Sequence, residues 1–200
     1  FMQTALMLAQ GRDWWIVTQA DTVNAFFTLR DDLQKTGLAA YVIELMDKFT
    51  YEDGPNPPLY RLVIETLQQL EAGDPLFVVA HFYELRLLDL MGFRPQLFNC
   101  VVCENEIQAV DQYFSALQGG VICPRCSHMS EDARRISMDA LKYLRHFQRS
   151  NYKQTLAANP DEQIVNEVEG IMQWYLTFLL ERKINSQAFL RDVQKKANGQ

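Results

Sequence analysis

Cysteine and histidine are scarce in this chain, at four and three of 200 residues. No low-complexity tract or internal repeat is present. No apolar run reaches the ~20 residues that a bilayer-spanning helix needs. Pro75 to Val79 is too short, and Ile171 to Leu180 is short and broken by polar groups. No secretory signal is visible, so the chain is expected to be soluble and intracellular. Basic charge is also in deficit: 19 Lys and Arg stand against 25 Asp and Glu, a net charge of −6. That balance argues against a general nucleic-acid binder, so any anion-binding role must rest on a local patch. Walker loops, Gly-x-Ser-x-Gly and His-Glu-x-x-His are all missing, and the carboxylates show no dyad or metal-binding spacing. An enzyme is therefore not expected.

The four cysteines form two Cys-x-x-Cys pairs, Cys100/Cys103 and Cys123/Cys126, separated by nineteen residues. This spacing matches a four-thiolate zinc site, in which each tight turn supplies two corners of a tetrahedron. Val110 to Ser115 reads as a short strand, Gly120 to Ile122 as its partner, and Ala116 to Gly119 as the turn between them, the layout of a zinc ribbon. Disulfides would need an oxidising compartment. A thioredoxin-like site would need a βαβ context that the sequence does not show. Four thiolates leave no open position for water or substrate, so the Zn2+ is expected to be structural rather than catalytic. His128 reads as a surface residue.

Around this module the periodicity is mostly helical. The segments 3–9 and 14–19, joined by Gln10-Gly11-Arg12-Asp13, form a hairpin signal. A lone hairpin is marginal in water, so it should belong to a larger sheet or dock on the helices that follow. Of Trp14 and Trp15, one is expected in the core and the other at a domain junction. The first helix is expected at roughly 30–50. A second is capped by Asn56 with Pro57 at its first position, and Gly73 stops it. Asp74-Pro75 suggests the same device for a third helix, which ends at Met91-Gly92. Ser137 caps a fourth, Asn159-Pro160 opens a fifth, and a short last helix is expected at about 186–197. Tyr41, Phe82, Tyr83, Trp174, Tyr175 and Phe178 recur at helical spacing and read as core. His81 reads as a partly buried core residue and His146 as exposed. The expected fold class is mostly α: a helical bundle with an inserted four-cysteine zinc ribbon, preceded by a β-hairpin.

One local charge asymmetry stands out. Between residues 134 and 153 there are six basic side chains and one acidic one, Asp139. Lys142, Arg145 and Arg149 share one face of the fourth helix, opposite Leu141, Leu144 and Phe147, and Arg134, Arg135 and Lys153 flank it. This is either an ordinary solvated face or a phosphate-contacting one. Arg125, at the tip of the second cysteine turn, is a further candidate.

Several motifs, in order, resemble one family. They are Ala40-Tyr41-Val42-Ile43-Glu44-Leu45, Pro57-Pro58-Leu59-Tyr60, Phe82-Tyr83-Glu84-Leu85-Arg86-Leu87-Leu88 and Leu90-Met91-Gly92-Phe93-Arg94-Pro95-Gln96-Leu97. Cys100-Val101-Val102-Cys103, Tyr113-Phe114-Ser115, Gly119-Gly120 and Cys123-Pro124-Arg125-Cys126 follow. With Trp15 to Ala20 upstream, they resemble the bacterial recombination protein RecO family from about residue 5 to about residue 180. The resemblance implies that residues 1–27 are the last strands of an N-terminal OB-fold, most of which is absent from this chain. It makes residues 28–200 a helical domain with the ribbon inserted at about 97–129. It implies a cytoplasmic, nucleoid-associated, non-enzymatic mediator of the RecF pathway that binds single- and double-stranded DNA and anneals complementary strands. RecR is the implied partner, together with the acidic, Phe-ended tail of single-stranded-DNA-binding protein in an apolar interhelical groove; RecA loading is the indirect result. The alternative is a zinc-stabilised protein-interaction module with no DNA contact of its own. Glu104 departs from the family, which often places glycine after the second cysteine, and Ser127 after the fourth cysteine departs likewise.

Overall fold

A computed structural model of the chain describes residues 1–50 and 54–180. It opens with an antiparallel hairpin of β1 (Gln3–Gln10) and β2 (Trp15–Asn24). Gly11 sits in the turn and donates to the Trp14 carbonyl at 2.9 Å. A Cβ there would lie 2.8 Å from that oxygen, which explains the glycine. The second strand runs well past the expected 14–19, and Trp14 falls in the turn. The hairpin touches the helices lightly, through Gln3 to the Tyr60 hydroxyl at 3.0 Å and Asn24 to Glu71 at 3.3 Å. Both of its faces stay exposed. Trp14 is 81 % and Trp15 65 % exposed, so neither tryptophan is core among the described residues.

Three long helices follow. α1 (Leu33–Phe49) is shorter than the expected 30–50, because the Asp32 side chain caps it by accepting from the Gln34 and Lys35 amides at 2.8 and 3.1 Å. α2 (Pro57–Ala72) begins as expected, with Asn56 accepting from the Leu59 amide, and ends at Gly73 in the left-handed region, φ 88°. α3 (Leu76–Leu90) lacks the expected Asp74 cap. Its N-cap is Pro75, which offers no side-chain acceptor, and Asp74 is taken up by the Tyr152 hydroxyl at 2.7 Å. α3 is apolar nearly all round and packs against both preceding helices and three later ones, as a central helix does.

Between α3 and the next helix lies a three-stranded antiparallel sheet in the order β4-β3-β5: β3 (Gln112–Ser115), β4 (Gly120–Ile122) and β5 (Arg134–Ile136). β3 starts two residues later than expected, and β5 was not legible, since Arg134-Arg135 carries no alternating apolar pattern. Segment 96–101 lies along β4: the Gln96 amide donates to Gly119 and its carbonyl accepts from Val121, at 3.0 and 2.8 Å. A Cβ on Gly120 would fall 2.5 Å from the Gln96 oxygen, so only glycine allows this approach. Asp132 closes the β3–β4 turn from outside, accepting from the Ser115 and Ser130 hydroxyls and the Leu117 amide at 2.6–2.9 Å.

α4 (Met138–Arg149), the single turn α5 (Tyr152–Thr155) and α6 (Glu162–Leu180) complete the bundle. Ser137 caps α4 as expected, by accepting from the Ala140 amide, and is itself held by Glu167 at 2.6 Å. α6 opens two residues later than Asn159-Pro160 suggests, where the Asp161 side chain accepts from the Ile164 amide. The helix expected at about 186–197 lies outside the described residues. Tyr41, Tyr83 and Tyr175 are buried, whereas Phe178 is exposed, against expectation. His81 is fully enclosed, and His146 is half-buried against Ser150 and the Gln154 carbonyl. No described helix is long and apolar enough to cross a membrane.

Candidate metal centre and basic surface

The two cysteine turns meet at one end of the small sheet. The first is drawn tight by the Glu104 amide donating to Cys100 and the Cys100 amide donating to Asn105, both at 2.8 Å. Glu104 adopts φ 61°, the left-handed conformation that glycine takes most easily, so the turn keeps its shape despite the glutamate. The second turn follows β4 directly and is closed by the Cys126 amide donating to Cys123 at 2.9 Å. All four Sγ atoms lie within 4.8 Å of one another, and none is in a disulfide. Cys103 and Cys123 stand 3.9 Å apart, close to the edge of about 3.8 Å in a tetrahedron with 2.3 Å zinc–sulfur bonds. Among the described residues this is the one cluster of three or more side chains able to hold a metal ion.

The electrostatics suit a soft cation. Burial opposes ionisation of Cys100, but the Cys103, Cys123 and Val102 amides outweigh it and bring the thiol down to about 6. Cys126 is pushed up to about 12, first by its hydrogen bond with Cys123 and then by burial. Four touching thiols cannot all ionise unless a cation compensates them. A divalent ion would supply that compensation, and amides at 3.3 Å on Cys100 and 3.5 Å on Cys103 steady the sulfurs.

The basic residues form smaller groups. Arg145 and Arg149 both lie over the Phe98 ring, at 5.3 and 4.9 Å. Arg145 is half-buried and donates to the Leu97 carbonyl at 2.7 Å, so it fastens α4 to the ribbon's entry. Arg149 is exposed. On β5, Arg134 stacks on Trp174 at 4.0 Å and Arg135 pairs with Asp111 at 2.7 Å. Lys142 pairs with Asp139 at 3.1 Å, one turn along the same helix. Arg125 stands exposed on the rim of an open groove lined also by Gln108, Val110 and Gln112. Phe98 was missed from sequence; an aromatic two residues before a cysteine turn gives no hint that two arginines will close over it.

The motif around α3 is explained by packing. Tyr83 donates to the Val42 carbonyl at 2.8 Å, and Phe82 packs on Tyr152 and under Arg86. Arg86 donates to the carbonyls of Gln148 and Ser150, capping the C-terminus of α4. Tyr41 donates to buried Glu84 at 2.5 Å.

Comparison with known proteins agrees with this architecture. The family profile described as recombination protein O C terminal matches residues 30–188. The chain is 36 % identical over 195 residues to the DNA repair protein RecO of Roseiflexus sp. (strain RS-1), covering 98 % of this chain and 69 % of that protein. It is 30 % identical over 195 residues to the protein of that name from Dehalococcoides mccartyi (strain ATCC BAA-2266 / KCTC 15142 / 195), covering 98 % and 77 %. A third, from Thermoanaerobacter sp. (strain X514), is 28 % identical over 196 residues. With a helical bundle, a four-cysteine module in the expected place and similarity along nearly its whole length, the chain belongs to the recombination protein O family of DNA repair and recombination.

Proposed function

We propose that this protein is a non-catalytic mediator of homologous-recombination repair. It binds single- and double-stranded DNA through phosphate contacts and anneals complementary strands. With RecR it helps RecA onto strands coated by single-stranded-DNA-binding protein, whose acidic tail is a further partner. Zn2+ at Cys100, Cys103, Cys123 and Cys126 is structural, holding the two turns of an insert at about 97–129 in a helical domain of residues 28–200. The hairpin at 1–27 belongs to an OB-fold, a reading supported by the apolar side chains exposed on both its faces.

Beyond family membership, one observation carries the DNA reading. Arg134, Arg135, Lys142 and Arg149 are all exposed along β5 and α4 in a chain of net charge −6. Such side chains attract phosphate without reading sequence. Arg149 and Arg134, which have no carboxylate within ion-pair distance among the described residues, are the sharper probes; Arg145 is committed to the Leu97 carbonyl. An Arg134→Glu/Arg149→Glu protein should bind single-stranded DNA more weakly at low salt. The slope of log affinity against log salt should fall by roughly 1.4, the release expected for two phosphate contacts. Unchanged affinity and slope would remove the patch from the reading.

A protein-interaction module is the second reading. It is favoured by the neutralisation of Arg135 by Asp111 and Lys142 by Asp139. It predicts no salt-sensitive DNA binding by this chain.

A further inference from the structure

A cavity lies inside the helical bundle, away from both the cysteine cluster and the basic residues. α1 contributes Gln34, Leu38 and Tyr41; α3 contributes Leu76, Phe77, Ala80, His81 and Glu84; α6 contributes Val165 and Glu169. Water-sized spheres can occupy about 80 Å³ of it. Leu38, Leu76, Phe77, Ala80 and Val165 give the wall its apolar part, and Gln34, Tyr41, His81, Glu84 and Glu169 its polar part. Glu84 is 5 % exposed. One of its oxygens accepts from Tyr41, while Oε2 is enclosed and has no hydrogen-bond partner. His81 Nδ1 is likewise enclosed and unpartnered. The Glu169 charge is near enough to act on Glu84. A buried carboxylate oxygen without a partner is costly, and it is a vacant acceptor for any donor that enters.

We propose that this cavity binds an organic cation, an ammonium or guanidinium on a short aliphatic stem, with the charged head on Glu84 and the stem against Leu38, Phe77 and Val165. The chemistry excludes the other common ligand classes. The negative charge of Glu169, joined by that of Glu84 once it ionises, repels phosphates and acidic peptides. A metal ion finds no three ligand atoms within 4.8 Å here, since among the described residues only the four cysteines meet that test. A neutral apolar guest would leave Oε2 unsatisfied. A cation with two or more N–H donors satisfies it and has an apolar wall for its stem.

The site is also linked to pH. Burial pushes Glu84 up to about 8, opposed by the Tyr41 hydrogen bond and reinforced by Glu169. Two of its neighbours titrate elsewhere. His81 of α3 is drawn down to about 4 by burial, and burial raises the Tyr143 phenol of α4. Tyr41 of α1 donates to the carboxyl, and Glu169 of α6 adds negative charge. Near neutrality, then, a cation binds by displacing the Glu84 proton. Affinity should rise roughly tenfold per pH unit up to about pH 8 and level off above it.

The probes are n-butylguanidinium and n-butylammonium, with n-butanol and butyrate as neutral and anionic controls and an arginine-bearing tripeptide beside the free cations. Calorimetry on the metal-loaded chain in two buffers of different ionisation enthalpy counts the protons released. The expected result is cation binding with close to one proton released at pH 7. Glu84→Gln should bind at least tenfold more weakly and release no proton, and Glu169→Gln should bind more weakly with the release kept. Tripeptide binding that exceeds the free cations assigns the site to a docking side chain; the reverse assigns it to a small molecule. No binding, n-butanol binding as well as the cations, or equal affinity in Glu84→Gln would leave a water-filled cavity only and overturn the proposal. DNA affinity should not change in Glu84→Gln, which separates this test from that of the basic surface.

Discussion

At Glu104 the chain holds a glutamate where the backbone asks for glycine, with φ at 61°. The side chain makes no contact that the turn depends on; its carbonyl, which accepts from Asn99 at 2.9 Å, is what matters locally. Glu104→Gly should therefore raise stability, by up to about 1 kcal/mol, after allowing for the freedom glycine regains when unfolded. Denaturant melting of the metal-loaded protein checks this, and a loss of stability would mean that the side chain is needed. Glu84 sets a pH dependence. Its folded value, about 8, lies above the ordinary carboxylate value of 4.5, so the folded state holds the extra proton between them. Its contribution is complete below about pH 4.5 and is lost as pH rises towards 8. His81 acts oppositely, drawn from 6.5 to about 4, so it costs stability only as pH falls below about 6.5. Between pH 6.5 and 8, wild type should lose stability relative to Glu84→Gln, and a flat difference would contradict the burial argument. Sequence held one hint of this residue: Glu84 is the sole acid in the apolar run Leu76 to Leu88.

At the scale of elements, caps decided most of the boundaries. Asn56, Gly73 and Ser137 were legible because their partners lie within four residues. Asp74 was not, because its partner is Tyr152, 78 residues on. Arg86 is likewise 62 and 64 residues from the carbonyls that it holds at the end of α4, at 2.5–3.2 Å. Arg86→Ala should leave those carbonyls without their charged donor and cost roughly 2–3 kcal/mol. The thermal midpoint should fall by roughly 4–12 °C, with the helical signal retained at low temperature. β5 escaped notice for a related reason. Its pairing with β3 places Arg134 opposite Phe114 and Arg135 opposite Tyr113, and short charged strands acquire their character only from the neighbour that pairs with them.

Across the whole molecule, two differently stabilised parts meet. The apolar core around α3 continues into the small sheet, where Phe114 packs on Trp174 and Tyr175, whereas the two cysteine turns at the end of that sheet depend on their four thiolates. Stripping the metal with a chelator should loosen residues near the two cysteine turns first, while the α1–α3 core keeps its amide protection, since binding energy at such a site is largely folding energy. Cys100→Ser should reproduce the effect and weaken zinc binding; global unfolding on chelation would show that the two parts are one cooperative unit. Local spacing alone determined the helical class, the four-cysteine cluster and its soft-metal chemistry, because caps, periodicity and Cys-x-x-Cys turns act over a few residues. Only the tertiary structure decided that Arg145 is a fastener rather than a free cation, that Trp14 and Trp15 stand in solvent, and that Glu84 faces a cavity with one oxygen unsatisfied. These depend on which distant residues arrive alongside, and burial is a property of the packed whole.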